Sequence, residues 1–380
     1  MTPQEATQRF HWIKYNKEIN TIDMFLDNFV LSSFRQCEAK GYLEHILNIH
    51  PKYQTDIRKP WWADFGEYIH WCLEEFYESY KINKEPPKID IWLQACKNKW
   101  CDMKMDEYAA TTIKTDKTKY EDVGGWVGVA SLLTQYYAFY MDQRLRIIET
   151  EITFGHNKEV FLGKTYVVES YGDIITTGGE FGFIDINCYL TGRIDLLVDN
   201  GYKIGPIDHK TTHKFDGFEH NDFNPHDGIT GYILACNEII KKIEPDKQVY
   251  GGWIYHISST TPPVPSAKTL EKNPNKKQEP RFKTTPIDKS PCQLEDYKVR
   301  QLSTFKRIAE LLFNDKIPEW NTITCNDIFH RPCMYKPIHE QPSDQWQDII
   351  ERFYTIGPSW DTRNHSKKEK EDVKVTNNHT

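Results

Sequence analysis

Asp195, Asp208 and Lys210 lie within GRIDLLVDNGYKIGPIDHKTT, residues 192–212, and their types suit chemistry at a phosphate. Side chains alternate along a strand, so Asp208 and Lys210 leave one face while Ile207 and His209 leave the other. Asp199-Asn200-Gly201 is a hairpin turn, and the strand before it starts near Asp195. The offset across that turn is not symmetric. Bringing Asp195 to the other two therefore calls for a bulge or a strong twist, expected at Gly205-Pro206. Carboxylates are hard oxygen donors suited to Mg²⁺ or Mn²⁺. Such an ion makes a bound water more acidic and offsets charge on a phosphate. A lysine beside it orients the water or neutralises the transition state. A surface hairpin closed by a salt bridge would show the same D…DxK pattern, and the trio alone does not separate the two.

The elements that must position these residues are readable in outline. Apolar spacing predicts a helix from Ser32 through Ile46, with Ser32 or Ser33 as its N-cap. Further helices are expected over Phe65–Tyr80, Trp92–Trp100 and Val123–Ile147. The pattern then changes to short β-branched and aromatic runs: Ile148–Phe154, Val160–Val168, Phe181–Leu190, Ile194–Val198 and Tyr202–Asp208. A helix over Ile229–Ile240, strands Gln248–Ile257 and Phe282–Ile287, and a helix over Gln293–Leu312 complete the outline. Residues 1–30 give little signal. The order predicts an α/β (α+β) chain, a central mixed sheet flanked by helices. The expected divisions are an N-terminal extension (1–30), one domain over 31–355 and a disordered tail over 356–380. Within the domain, 31–147 is helical, 148–313 holds the catalytic core and 314–355 is a cysteine-containing closing segment.

The 380 residues carry 38% hydrophobic side chains and a formal charge of −7, a globular composition that excludes a basic nucleic-acid coat. No apolar run reaches the length of a membrane span, and the first residues lack the apolar core of a signal peptide. Nine cysteines without regular disulfide spacing fit a reducing compartment. The expectation is a cytoplasmic protein, in a bacterial or phage-infected cell, with no membrane partner.

Three motifs in order give the trio its context. They are Gly66-Glu67-Tyr68-Ile69-His70 on a predicted helix, Gly192-Arg193-Ile194-Asp195, and Asp208-His209-Lys210 running into Thr211-Thr212. Over residues 31–340 the sequence resembles the RecB-type branch of the PD-(D/E)XK nuclease superfamily, which includes CRISPR-associated and phage exonucleases. The resemblance implies a restriction-endonuclease-like core and a divalent-metal-dependent DNA exonuclease, working on single-stranded DNA or DNA with free ends. It also implies roles in recombination, replication or repair, beside a helicase or recombinase. His70 would be a further metal ligand beside Asp195 and Asp208, and an imidazole there favours Mn²⁺ over Mg²⁺. The branch's Gln-x-x-x-Tyr motif corresponds to Gly228-Ile229-Thr230-Gly231-Tyr232. Tyr232 is present as a site residue but glycine replaces the glutamine, with His226 and Asp227 nearby as substitutes. A binding protein that keeps the fold without catalysis, and an endonuclease on the same centre, are the rival readings.

The resemblance also implies a cluster at the chain ends. Cys37, Cys325 and Cys333 match cysteines that hold a [4Fe-4S] cluster in that branch, and His339 stands where the last cysteine is expected. The set suits an iron–sulfur cluster, suits structural zinc, or reduces to ordinary small apolar residues. For contact with DNA the candidates are the loop 258–280 with Lys268, Lys272, Lys276 and Lys277, then Arg281 and Lys283. The loop reads equally as a solvated linker. Trp61 and Trp62 offer base stacking or core packing.

Overall fold

The computed structural model describes residues 1–52, 61–111, 114–143, 145–169, 182–212, 227–260, 271, 280–314, 316–321 and 333–357. Cys325, His226, the lysines of the 258–280 loop and the tail from 358 lie outside these residues.

The chain begins with α1 (Pro3–Arg9), β1 (Ile13–Asn16), β2 (Thr21–Asp27), α2 (Asn28–Gln36), α3 (Glu38–Gly41) and β3 (Ile49–Pro51). Helices α4 (Trp61–Asn83), α5 (Ile89–Asp102), α6 (Lys114–Val123) and α7 (Gly125–Gln143) follow. Next come β4 (Arg146–Phe154), β5 (Phe161–Glu169), β6 (Gly182–Asp199), β7 (Ile204–Thr212), α8 (Asp227–Ile243), β8 (Gly251–Ser258) and β9 (Phe282–Asp288). The last elements are α9 (Pro291–Phe313), α10 (Lys336–His339), α11 (Trp346–Phe353) and β10 (Tyr354–Ile356). These elements form two compact units, each assembled from separated stretches. The first takes Met1–Arg58, Thr153–Arg193 and Pro291–Thr380, the second Lys59–Ile152 and Ile194–Ser290.

In the first unit β2 lies between β1, antiparallel, and β6, parallel, with Thr21 opposite Asp185 and Asp27 opposite Thr191. Strand β5 runs antiparallel on the other side of β6. Helix α9 packs on β5 and α2. The Arg307 guanidinium of α9 donates through Nε and Nη2 to the Glu38 carboxylate at 2.7 and 2.9 Å. Residues 1–30 thus supply a buried strand. TIDMFLD shows no polar–apolar alternation because β2 has a neighbour on each side and both faces are largely covered.

In the second unit the end of β6, then β7, β8 and β9, form a mixed sheet: antiparallel, parallel, antiparallel. Helix α8 packs on β7 and β8, and α4 packs on β7. Helices α4, α5 and α7 share one aromatic core that includes Phe65, Tyr68, Phe76, Trp92, Trp100 and Tyr136. The class is mixed α/β with a central mixed sheet flanked by helices, as the order of elements predicts.

Several boundaries differ from expectation. Helix α2 starts at Asn28, where the Asp27 carboxylate accepts from the Val30 N–H at 2.8 Å, so Asp27 and not Ser32 or Ser33 is the N-cap. It also stops early: Cys37 is extended (φ −162°, ψ 115°), and the chain recoils as α3 and a π-type turn over Tyr42–Ile46. The two runs expected as separate strands, up to Leu190 and over Ile194–Val198, fall on one strand, β6 (Gly182–Asp199). The helix expected over Val123–Ile147 is broken at Gly124 and Gly125, both at positive φ, and gives way to β4 at Arg146.

Candidate active site

The hairpin β6–β7 needs no bulge. Its register runs Asp199↔Ile204, Val198↔Gly205, Leu197↔Pro206 and Leu196↔Ile207 without a shift. The sum of paired numbers is constant, so the next residues, Asp195 and Asp208, come opposite one another. The expected distortion at Gly205-Pro206 is absent because the turn is closed tightly by Asn200, whose N–H donates to the Lys203 carbonyl at 3.3 Å. At Asp195 the side chain takes over from the backbone: the His209 N–H donates to Asp195 Oδ2 at 2.8 Å.

Helix α4 brings His70 to the same place. Trp61, Phe65, Tyr68, Ile69, Cys72, Leu73, Phe76 and Tyr77 are its buried face, with helical spacing. Gly66 sits where the helix meets β7. A Cβ there would stand 3.2 Å from Thr211 Oγ1, so the absence of a side chain sets the closeness of approach. His70 lies one turn on, on the same face, and its Nδ1 is 3.5 Å from Asp195 Oδ2. The Tyr68 hydroxyl donates to the Cys96 carbonyl, and Trp92 Nε1–H to the Cys72 carbonyl, both at 2.9 Å. These bonds tie α4 to α5 and hold His70 on a rigid support.

The electrostatics follow from burial and neighbours. Asp208 is buried, and the exposed Lys210 reaches back to it, Nζ lying 3.0 Å from Oδ1 and 2.9 Å from Oδ2. Burial opposes charge on Asp195, but His70, His209 and Lys210 outweigh it and hold the carboxyl well below the usual range. Burial pulls the His70 imidazole down more than Asp195 lifts it. Burial also works against the Lys210 ammonium, yet Asp208 and Asp195 keep it above its ordinary value. A cavity of about 330 Å³ opens beside His70 and Lys210, with Trp62, Lys119, Thr212 and Ser259 on its walls.

Among the described residues no three His, Cys, Asp or Glu side chains are spaced to hold a metal ion. The donors stand instead as two pairs, His70–Asp195 and Asp208–Lys210. Their chemistry nonetheless fits a hard divalent cation. Two carboxylates against one ammonium leave an excess negative charge at a largely buried spot, and such charge needs a counter-ion.

The other sequence candidates fall elsewhere. Tyr232 is half-buried on α8, a helix packed on β7, and Asp227 is that helix's first residue. In the first unit the Cys37 thiol lies 3.9 Å from the Glu319 carbonyl and 3.4 Å from the Asn321 N–H. His339 stacks on Trp320 at 4.2 Å, so Cys37 and His339 border the same short run. Cys333 lines a separate cavity with Lys52, Met334 and Tyr354. Trp61 is core, stacked on Phe65, whereas Trp62 is 55% exposed. Arg281 is not available to DNA: it is buried and donates to the carbonyls of Ser258 (3.1 Å) and Ser259 (2.7 Å). Sequence reasoning set His209 aside as facing away from the site. Its position between two motif residues, next to Ile207 on that face, was the available signal.

The mixed sheet thus sets two acidic side chains and a lysine on adjoining strands, with a histidine from a packed helix beside them. The chain belongs to the PD-(D/E)XK nuclease superfamily, whose family model matches residues 30–338. Membership supports a nuclease function in general. No curated protein matches the chain.

Proposed function

We propose that this protein is a divalent-metal-dependent deoxyribonuclease, an exonuclease of the RecB-type branch that degrades DNA from free ends. The observation that carries the reading is the meeting of Asp195, Asp208, Lys210 and His70, drawn from three separate motifs, beside one cavity. Asp195 and Asp208 would hold Mg²⁺ or Mn²⁺, with His70 through Nε2, the ring nitrogen not turned to Asp195. A bound cation of this kind supplies a more acidic water and offsets charge on the phosphate. Lys210 is charged and exposed at the cavity, where its third N–H donates to a phosphate oxygen or to the attacking water. Asp208 holds that ammonium in place through both of its oxygens. Trp62 offers an exposed ring to a base and Lys119 a charge to the backbone on the same cavity wall.

The test is degradation of end-labelled single- and double-stranded DNA with Mn²⁺ or Mg²⁺, beside covalently closed circles. Lys210→Ala runs in parallel. The proposal expects loss of linear DNA, sparing of circles, silence in EDTA and silence in the variant. Cleaved circles would make the protein an endonuclease on the same centre. Equal rates in wild type and Lys210→Ala would remove the catalytic reading altogether.

A further inference from the structure

Behind the carboxylate pair lies a buried polar chain that the proposed reaction does not itself use. His209 is 1% exposed, and Tyr77 and Tyr136 are as deeply buried. The Tyr77 and Tyr136 hydroxyls are hydrogen-bonded to each other. The Tyr136 hydroxyl is 3.0 Å from His209 Nε2, and the Tyr77 hydroxyl is 3.5 Å from the same atom. His209 Nδ1 faces Asp195 Oδ2 at 3.5 Å. A ring nitrogen turned to a carboxylate carries a proton, and an imidazole that donates from Nδ1 accepts at Nε2. The hydroxyl protons of Tyr77 and Tyr136 then point along one direction, toward His209 and through it toward Asp195. Hydrogen bonds aligned in this way polarise one another.

The contacts are also one-sided at the carboxylate. The His209 N–H, His209 Nδ1 and His70 Nδ1 all address Oδ2 of Asp195. Oδ1 takes no hydrogen bond among the described residues. We propose that His209, braced by Tyr136 and Tyr77, is a positioning residue that saturates Asp195 Oδ2 and so turns Oδ1 outward for a divalent cation. This inference rests on the metal-dependent reading of the site. A buried imidazole with two tyrosines is an expensive way to fill a core, since each polar atom needs a partner. Here the tyrosines serve His209 Nε2, and His209 in turn faces one carboxylate oxygen.

The experiment is titration of Mn²⁺ into the metal-free full chain, without DNA, following the electron paramagnetic resonance signal of the free ion. His209→Leu removes both ring nitrogens and should weaken Mn²⁺ binding about 10- to 100-fold, the usual cost of removing a ligand's supporting partner. His209→Asn returns a donor near the Nδ1 position and should recover most of that loss. Thermal unfolding in EDTA serves as the structural control: both variants lose the tyrosine bond, so packing alone would weaken Mn²⁺ binding equally in both. Tyr136→Phe keeps the ring, and it decides the matter should His209→Leu not fold. Its expected effect is weaker Mn²⁺ binding by roughly the lower end of that range. Mn²⁺ affinity unchanged in Tyr136→Phe and His209→Leu, or no recovery in His209→Asn, overturns the proposal. Asp208→Ala is the reference: if it too binds Mn²⁺ as wild type does, the metal site itself is misplaced, a different failure from that of His209.

Discussion

Replacing His45 by leucine should make the first unit less sensitive to acid. His45 lies in the π-type turn after α3, 4% exposed, with neither ring nitrogen hydrogen-bonded among the described residues. Phe29 and Phe34 face its ring, and Glu44 Oε2 is 3.9 Å from Nε2, beyond hydrogen-bonding reach. Burial, then the charges of Lys40 and His50, lower its pKa from 6.5 to about 3. The sign follows: between those values the unfolded chain binds the proton and the folded chain does not. Wild type therefore loses stability as pH falls through 6.5, and the loss levels off below the folded value. Linkage puts it at roughly 2 kcal/mol at pH 5 and about 3 kcal/mol at pH 4. Leucine has no proton to bind, so the stability difference between variant and wild type should move by those amounts in the variant's favour relative to pH 8. Urea unfolding of both metal-free proteins, compared at each pH, measures that difference, and groups common to both chains cancel. Glu44 is one of them, its carboxyl pushed up by burial. An equal difference at pH 8 and pH 5 would refute the reasoning and would mean that the ring ionises in place with Glu44 as its partner.

The two neighbouring tryptophans should separate cleanly. Trp61→Ala should cost about 3–5 kcal/mol in denaturant unfolding, because the ring is core. Trp62→Ala should leave unfolding within roughly 0.5 kcal/mol of wild type. It should instead raise KM for single-stranded DNA, by an amount corresponding to about 1–3 kcal/mol of lost base stacking. Arg281→Lys keeps the charge but not the fork that serves two carbonyls, and should destabilise by roughly 1–3 kcal/mol. Its DNA affinity, measured by filter binding at one salt concentration, should match wild type, since the group is spent on Ser258 and Ser259.

Much of the candidate site's geometry was legible because its residues are set by local periodicity. Asp208 and Lys210 share a face through the two-residue repeat, and Gly66 and His70 share one through the helical repeat. What escaped the sequence depended on partners far along the chain. His209 was assigned to the face away from the trio, yet its ring reaches Asp195 and Tyr136, residues 14 and 73 positions away. Arg281 read as a cation for DNA because nothing local shows that Ser258 and Ser259 take its donors. Strand β2 was silent for the same reason: its pairing with β6 joins residues such as Thr21 and Asp185. The early end of α2 at Cys37 lies inside an apolar pattern that continues through Ile46, so periodicity alone could not place it.

The order in which the two units are written along the chain bears on how they are made. The second unit is finished once Ser290 has left the ribosome, while the first still lacks α9 and everything after it. Chains emerge at about 5–20 residues per second, so for several seconds the half that carries His70, Asp195, Asp208 and Lys210 can fold while β5 and α2 lack α9. Exposed strands in that interval are an opening for mispairing with neighbouring chains. A polypeptide released near Ser290 would therefore keep His70, Asp195, Asp208 and Lys210 and still be prone to aggregate.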